Sequence, residues 1–257
     1  MSGIAQARVR AARFVEERGD PAAVRRAAVL IGAEPLAGAQ SALEEWAERS
    51  GVFRAPGGVD PRAALPVLRG LADLRALDCP LALRIAEALA KAQADDGSFG
   101  AAGSDEEERV YLTGRLAACL SGLRSVRQRL LDGAADHLAA LFTPERVSGF
   151  AWRPLAAYTP LFTNVEHERA DDVLQWCGRE LERGFRAKGF DAVQAARIWV
   201  DCGAASLPGA KLAAGEIVLA LLAEQAGDGG WPAPGGGDAA ARVAHTLDAL
   251  TALVRLA

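Results

Sequence analysis

The 257-residue chain is 51% hydrophobic but only 6% aromatic, so its apolar content is largely Ala and Leu, both strong helix formers; the composition excludes a strand-dominated fold and predicts an almost all-helical protein. A formal net charge of −4 at pH 7 argues against nucleic acid as a partner, because proteins that bind it concentrate basic residues on one face. No apolar run of about 18 residues occurs and Met1–Arg8 carries no apolar signal core, so a cytoplasmic, not transmembrane, protein is expected.

The first predicted helix covers 4–17 and stops at Arg18-Gly19; Asp20-Pro21 starts the next, over 22–31. Asp before Pro supplies an N-cap followed by the residue favoured at the first helical position. Pro35 and Gly38 mark a loop before a helix over 41–49, and Ser50-Gly51-Val52-Phe53 is the turn that follows. Asp60-Pro61 repeats the cap ahead of 62–74. Four more pairs follow: 80–93 with 106–123, 126–142 with 152–161, 171–185 with 192–204, and 211–225 with 239–256. Their turns carry Gly97 and Phe99, Gly149-Phe150, Gly189-Phe190, and Gly229 and Trp231. The turn glycines recur at about 40 residues, a period typical of helical repeats. About six hairpins can stack openly or close into a ring. An open stack needs polar end caps, whereas both terminal helices here are amphipathic and Ala-rich. Closure removes the exposed ends, so the expected fold is a single all-α domain over 1–257, an (α/α)6 toroid.

One stretch has a near copy. Gln225-Ala-Gly-Asp228-Gly229-Gly230-Trp231 is echoed by Gln93-Ala-Asp-Asp96-Gly97-Ser98-Phe99. In both, Gln is followed at the same offsets by Asp, Gly and an aromatic, between helical runs. The pattern resembles the QW-type repeats of squalene-hopene cyclases and related terpene cyclase domains. The segment Val243 to Leu250 is similar to an inner-helix start of the protein prenyltransferase β-subunits. The resemblance implies inner helices around an apolar cavity and an apolar, isoprenoid-, polyene- or polyketide-like small molecule as partner. Three departures accompany it. No D-x-D-D is present, since the strings ending in Asp95-Asp96 and Asp171-Asp172 lack its first Asp. No D-D-x-x-D is present, which removes support for diphosphate–magnesium chemistry. His245 matches a zinc ligand of the prenyltransferases, but Val193 stands where the partner thiol belongs. No metal or other cofactor is therefore expected. Cys79, Cys119, Cys177 and Cys202 form no C-x-x-C pair and read as small reduced hydrophobes.

The candidate site residues each have two readings. Asp201 lies in the apolar run Ile198-Trp199-Val200-Asp201-Cys202. It is either a buried acid with a raised pKa, able to donate a proton, or the partner of Arg197 one turn back. His245 is either a general acid–base near neutrality or a hydrogen-bonded structural residue. Tyr111, Trp152, Arg153, Tyr158, Gln194, Trp199 and Arg242 are expected to bind substrate, with aromatic faces able to stabilise a cation, or else to pack. If a pocket exists, it is expected at the mouth formed by the inner-helix N-termini, whose dipoles favour an anionic group. Asp20, Asp60, Asp191 and Asp238 read as N-caps, and Gln93 and Gln225 as ties between turn backbone and aromatic. Two functions remain open: a cyclase or isomerase working by acid–base chemistry with Asp201 or His245, and a non-catalytic toroid that binds or scaffolds.

Overall fold

The computed structural model describes residues 3–55, 58–100, 103–203 and 207–257, and among these there is no strand. The helices are α1 (Gly3–Arg18), α2 (Pro21–Leu30), α3 (Leu36–Arg49), α4 (Pro61–Asp73), α5 (Pro80–Ala92), α6 (Glu106–Leu120), α7 (Gln128–Leu141), α8 (Pro144–Val147), α9 (Trp152–Asn164), α10 (Ala170–Arg186), α11 (Ala192–Cys202), α12 (Ala214–Glu224) and α13 (Ala239–Leu256). All twelve expected helices are present. The single turn α8 is added inside the fourth hairpin, started by Pro144. The third helix begins earlier than expected because the chain turns helical directly after Pro35; Gly38 lies in its first turn rather than in a loop. Ala204, the expected end of α11, lies outside the described residues.

Local chemistry sets the helix starts. Asp20, Asp60, Asp191 and Asp238 each accept a backbone N–H of the first turn, from Ala23, Arg62, Gln194 and Ala241 respectively. Asp191 and Gln194 complete a reciprocal capping box. Asp105 caps α6 in the same way, a role its sequence neighbourhood of acids conceals. Such caps are worth about 1 kcal/mol each.

Six helices, α2, α4, α6, α9, α11 and α13, are here called inner. α4 packs on α6, α6 on α9, α9 on α11, α11 on α13 and α13 on α2. α2 returns to α4 through Arg26, whose guanidinium lies against Gly70 and bonds Asp73 at 2.9 Å. The other long helices back this series, each against its neighbours, and the first helix, α1, packs on the last, α13. The buried apolar side chains form one cluster running through every hairpin.

The inner helices approach closely because they carry small residues. A Cβ on Gly114 of α6 would lie 2.5 Å from the backbone oxygen of Ala157 on α9. Ala156, Ala157, Ala195, Ala196, Ala249 and Ala252 are fully buried. Close approach narrows the space between the inner helices, and long side chains rather than an open apolar channel fill it.

The two Gln turns share the bonds made by the Gln amide nitrogen and by the backbone of the aromatic residue, and Gln225 Oε1 also accepts from Arg10 Nη2. Gln93 Nε2 donates to the Gly97 carbonyl at 2.9 Å and to Leu130 of α7 at 2.9 Å. Gln225 Nε2 donates to the Gly229 carbonyl at 2.8 Å and to Ala7 of α1 at 3.0 Å. The Phe99 amide donates to Thr113 Oγ1 and the Trp231 amide to Thr246 Oγ1. Phe99 and Trp231 are fully buried, as expected of packing wedges. Gly97 and Gly229 adopt φ of 83° and 91°, a region that favours glycine, and both face backbone of the next hairpin. The Gln side chain therefore does more than tie its own turn: it binds the following outer helix. For Gln225 that helix is α1, at the other end of the chain.

Candidate functional site

Charged side chains from the inner helices meet in the space between them. Arg197 of α11 is 3% exposed and reaches three carboxylates: Asp201 through Nε at 2.9 Å, Asp73 at 2.7 Å and Asp248 at 3.4 Å. Arg115 of α6, also 3% exposed, pairs with the other oxygen of Asp201. Arg69 of α4 bonds Asp248 of α13 at 2.8 Å, and Arg26 of α2 bonds Asp73. Helix α9 contributes a carbonyl. Pro160 has no N–H to give the Ala156 carbonyl four residues back, and Arg115 Nη1 lies 3.4 Å from that oxygen. Four guanidiniums and three carboxylates thus tie all six inner helices together. Isolated charges in such surroundings cost several kcal/mol each, so their persistence depends on mutual pairing.

A cavity of about 620 Å³ opens beside this network. Its walls come from the C-terminal portions of α4, α6, α9, α11 and α13, and include Asp73, Arg115, Cys119, Asn164, Trp199 and Asp201. The larger cavity therefore lies at the opposite end from the expected N-terminal mouth. A second cavity, about 430 Å³, does lie on the N-terminal side, between Glu106, Glu107, Arg146, Trp152 and Arg153.

The chemistry of the larger cavity differs from that expected. Burial opposes ionisation of Asp201, but Arg115 and Arg197 outweigh it and hold the carboxyl well below the usual carboxylate range. Asp201 is therefore an ionised ion-pair partner, not the protonated acid considered for it, because two guanidiniums face the carboxylate in a site that water barely reaches. Burial pushes the Cys119 thiol up to about 11, so it is not a thiolate nucleophile at neutral pH.

The remaining candidates disperse. His245 is 9% exposed, with Nε2 at 3.1 Å from Asp191 Oδ2, and ties α13 to the cap of α11. Gln194 is committed to the capping box. Arg242 is bidentate to Asp228 at 2.7 and 2.8 Å and lies over Phe14, which turns it toward α1. Arg153 stacks over Tyr111 at 4.8 Å, so these two meet, and Trp152 joins Arg153 in the smaller cavity. Tyr158 is fully buried against Phe142 and Phe162, where burial raises its phenol pKa. Of the expected binding residues only Trp199 lines the larger cavity with Asp201, and its Nε1 has no hydrogen-bond partner among the described residues.

Sequence reasoning noticed Asp201 and Arg197 and missed Arg26, Arg69, Asp73, Arg115 and Asp248. The signal was the one that drew attention to Asp201: a single charge inside an apolar run, as in Leu112-Thr-Gly-Arg115-Leu-Ala-Ala and Thr246-Leu-Asp248-Ala-Leu. Among the described residues, no three His, Cys, Asp or Glu side chains converge as metal ligands, and no helix is long and apolar enough to cross a membrane. Comparison of the chain with family models, with curated proteins and with solved structures finds no match.

Proposed function

We propose that the chain is a closed α/α toroid of six hairpins that works as a binding protein rather than as a cyclase or isomerase. The carrying observation is the ion network between the inner helices, set where an apolar chain would have to lie. An isoprenoid or polyene needs a dry, apolar channel, and threading one past Arg115, Arg197 and Asp201 would separate paired buried charges at several kcal/mol each. Proton-initiated chemistry also needs an acid with a pKa matched to its task, and Asp201 is held ionised. The packing of α1 on α13, and the bond from Gln225 to Ala7, support closure. The two Gln turns support a kinship of architecture with the terpene cyclase and prenyltransferase superfamily, without its chemistry, since fold and function are separable.

The test is incubation of the purified protein with farnesol, geranylgeraniol and squalene, none of which carries an anionic group. Binding is followed by calorimetry and products by mass spectrometry. The expected result is neither saturable binding nor any new product. A cyclised or isomerised product that depends on the protein would overturn the proposal.

A further inference from the structure

We propose that the cavity at the C-terminal ends of the inner helices binds the oxyanion group, carboxylate or phosphate, of a small organic acid, with Arg75 and Arg115 as its anchoring side chains. This rests on the reading of the chain as a binding protein and gives that reading a ligand class.

The argument is an accounting of donors and acceptors around the cavity. Its carboxylate acceptors are committed. Both oxygens of Asp73 are bonded, to Arg197 and Arg26, and both of Asp201, to Arg197 and Arg115. Helix C-termini carry about half a negative charge each and would repel an anion, but three of those that line the cavity are already supplied with donors. Arg255 bonds the Ala72 and Asp73 carbonyls at the end of α4. Ser121 Oγ donates to Ala118 of α6, and Asn164 Nδ2 to Pro160 of α9.

The donors, by contrast, are in surplus. Among the described residues Arg115, which lines the cavity, bonds through Nη1 alone, and its Nη2 makes no hydrogen bond. Arg75 lines the cavity exposed, and its guanidinium has no partner among the described residues. The guanidiniums of Arg75 and Arg115 thus have donors to spare at the cavity, and a planar oxyanion matches the guanidinium fork.

The backbone at Arg75 allows its side chain to be removed without cost to the fold. Helix α4 ends in a Schellman turn, with Arg75 N–H bonding Ala72 at 3.0 Å and Ala76 N–H bonding Leu71 at 2.8 Å. The residue at the left-handed position of this motif is usually glycine, as Gly203 is after α11 at φ 63°. Here it is Arg75 at φ 54°. Lys188 holds the same position after α10 at φ 55° with the same pair of bonds, so the conformation places Arg75 at the cavity rim without itself marking function. The volume, within the range of small-molecule sites, exceeds that of an inorganic ion, and Leu77, Ala118, Val200 and Leu256 would face the rest of the ligand.

The experiment titrates the protein with benzoate and phenyl phosphate, with benzylammonium as the cationic control, by calorimetry and thermal melting. Either anion, or both, binds and raises Tm, and the relative affinities tell carboxylate from phosphate; benzylammonium does neither. Arg75→Gly removes the guanidinium while placing at φ 54° the residue that position favours, so its melt stays at least at the wild-type value. Its affinity for the anions falls about tenfold or more, the loss expected of one charge-assisted hydrogen bond. Absence of binding by both anions, equal binding of benzylammonium, or an unchanged affinity in Arg75→Gly overturns the site. A farnesol arm keeps the two claims apart. Conversion of farnesol to a new product contradicts the binding-protein reading, whereas failure of both anions to bind with farnesol left unconverted overturns the anion site alone.

Discussion

Both oxygens of Asp201 face guanidinium nitrogens, from Arg197 on one side and Arg115 on the other. A carboxylate so held has a depressed pKa in the folded protein. It therefore adds stability above the unfolded value of about 3.9, and that stability is lost as pH falls toward the folded value. Urea unfolding followed from pH 7 downward should show a midpoint that declines progressively below about pH 4. Asp201→Asn leaves both guanidiniums short of a partner and should cost about 3–5 kcal/mol at neutral pH, with a shallower acid decline. An Asn variant as stable as wild type, with the same acid slope, would contradict the pairing. At this scale the sequence was half legible. The i, i+4 spacing exposed Arg197 beside Asp201, but Arg115 lies 86 positions away in sequence, and only tertiary packing joins them.

Among the elements, the two Gln turns share the bonds of the Gln Nε2 and of the aromatic amide and therefore make a paired test. Replacing Gln93 or Gln225 by Ala removes two side-chain bonds to carbonyls and should cost about 1–3 kcal/mol in either case, measured by urea unfolding. Gly229→Ala should cost more than Gln225→Ala. It forces a side chain to φ 91° and brings its Cβ within 2.5 Å of the Arg10 carbonyl. A Gln225 variant indistinguishable from wild type would show that the bond to α1 contributes nothing. Helices, caps and turns were the most legible part of the chain, because Asp-Pro starts, glycine stops and Ala/Leu runs act locally. The fourth hairpin gained α8 for an equally local reason, Pro144. The destination of each Gln side chain was not legible, since nothing in the turn names Leu130 or Ala7 as its acceptor.

For the whole molecule, the period of the turn glycines supplied the hairpin count, but not what fills the space between the inner helices. The family resemblance implied an apolar cavity there; the small residues that bring the inner helices together leave room instead for guanidinium and carboxylate groups. Every statement about that network depends on the ring being closed, because an open stack would bring water to Arg197 and Asp73. Native-state hydrogen exchange measures closure directly. If α1 and α13 seal the ring, their amides exchange with the same free energy as those of α6, α9 and α11, as one cooperative unit, and Gln225→Ala lowers that shared value. If instead α1 and α12 open at much lower free energy while the middle helices stay protected, as terminal repeats of an open stack do, the closed ring is contradicted.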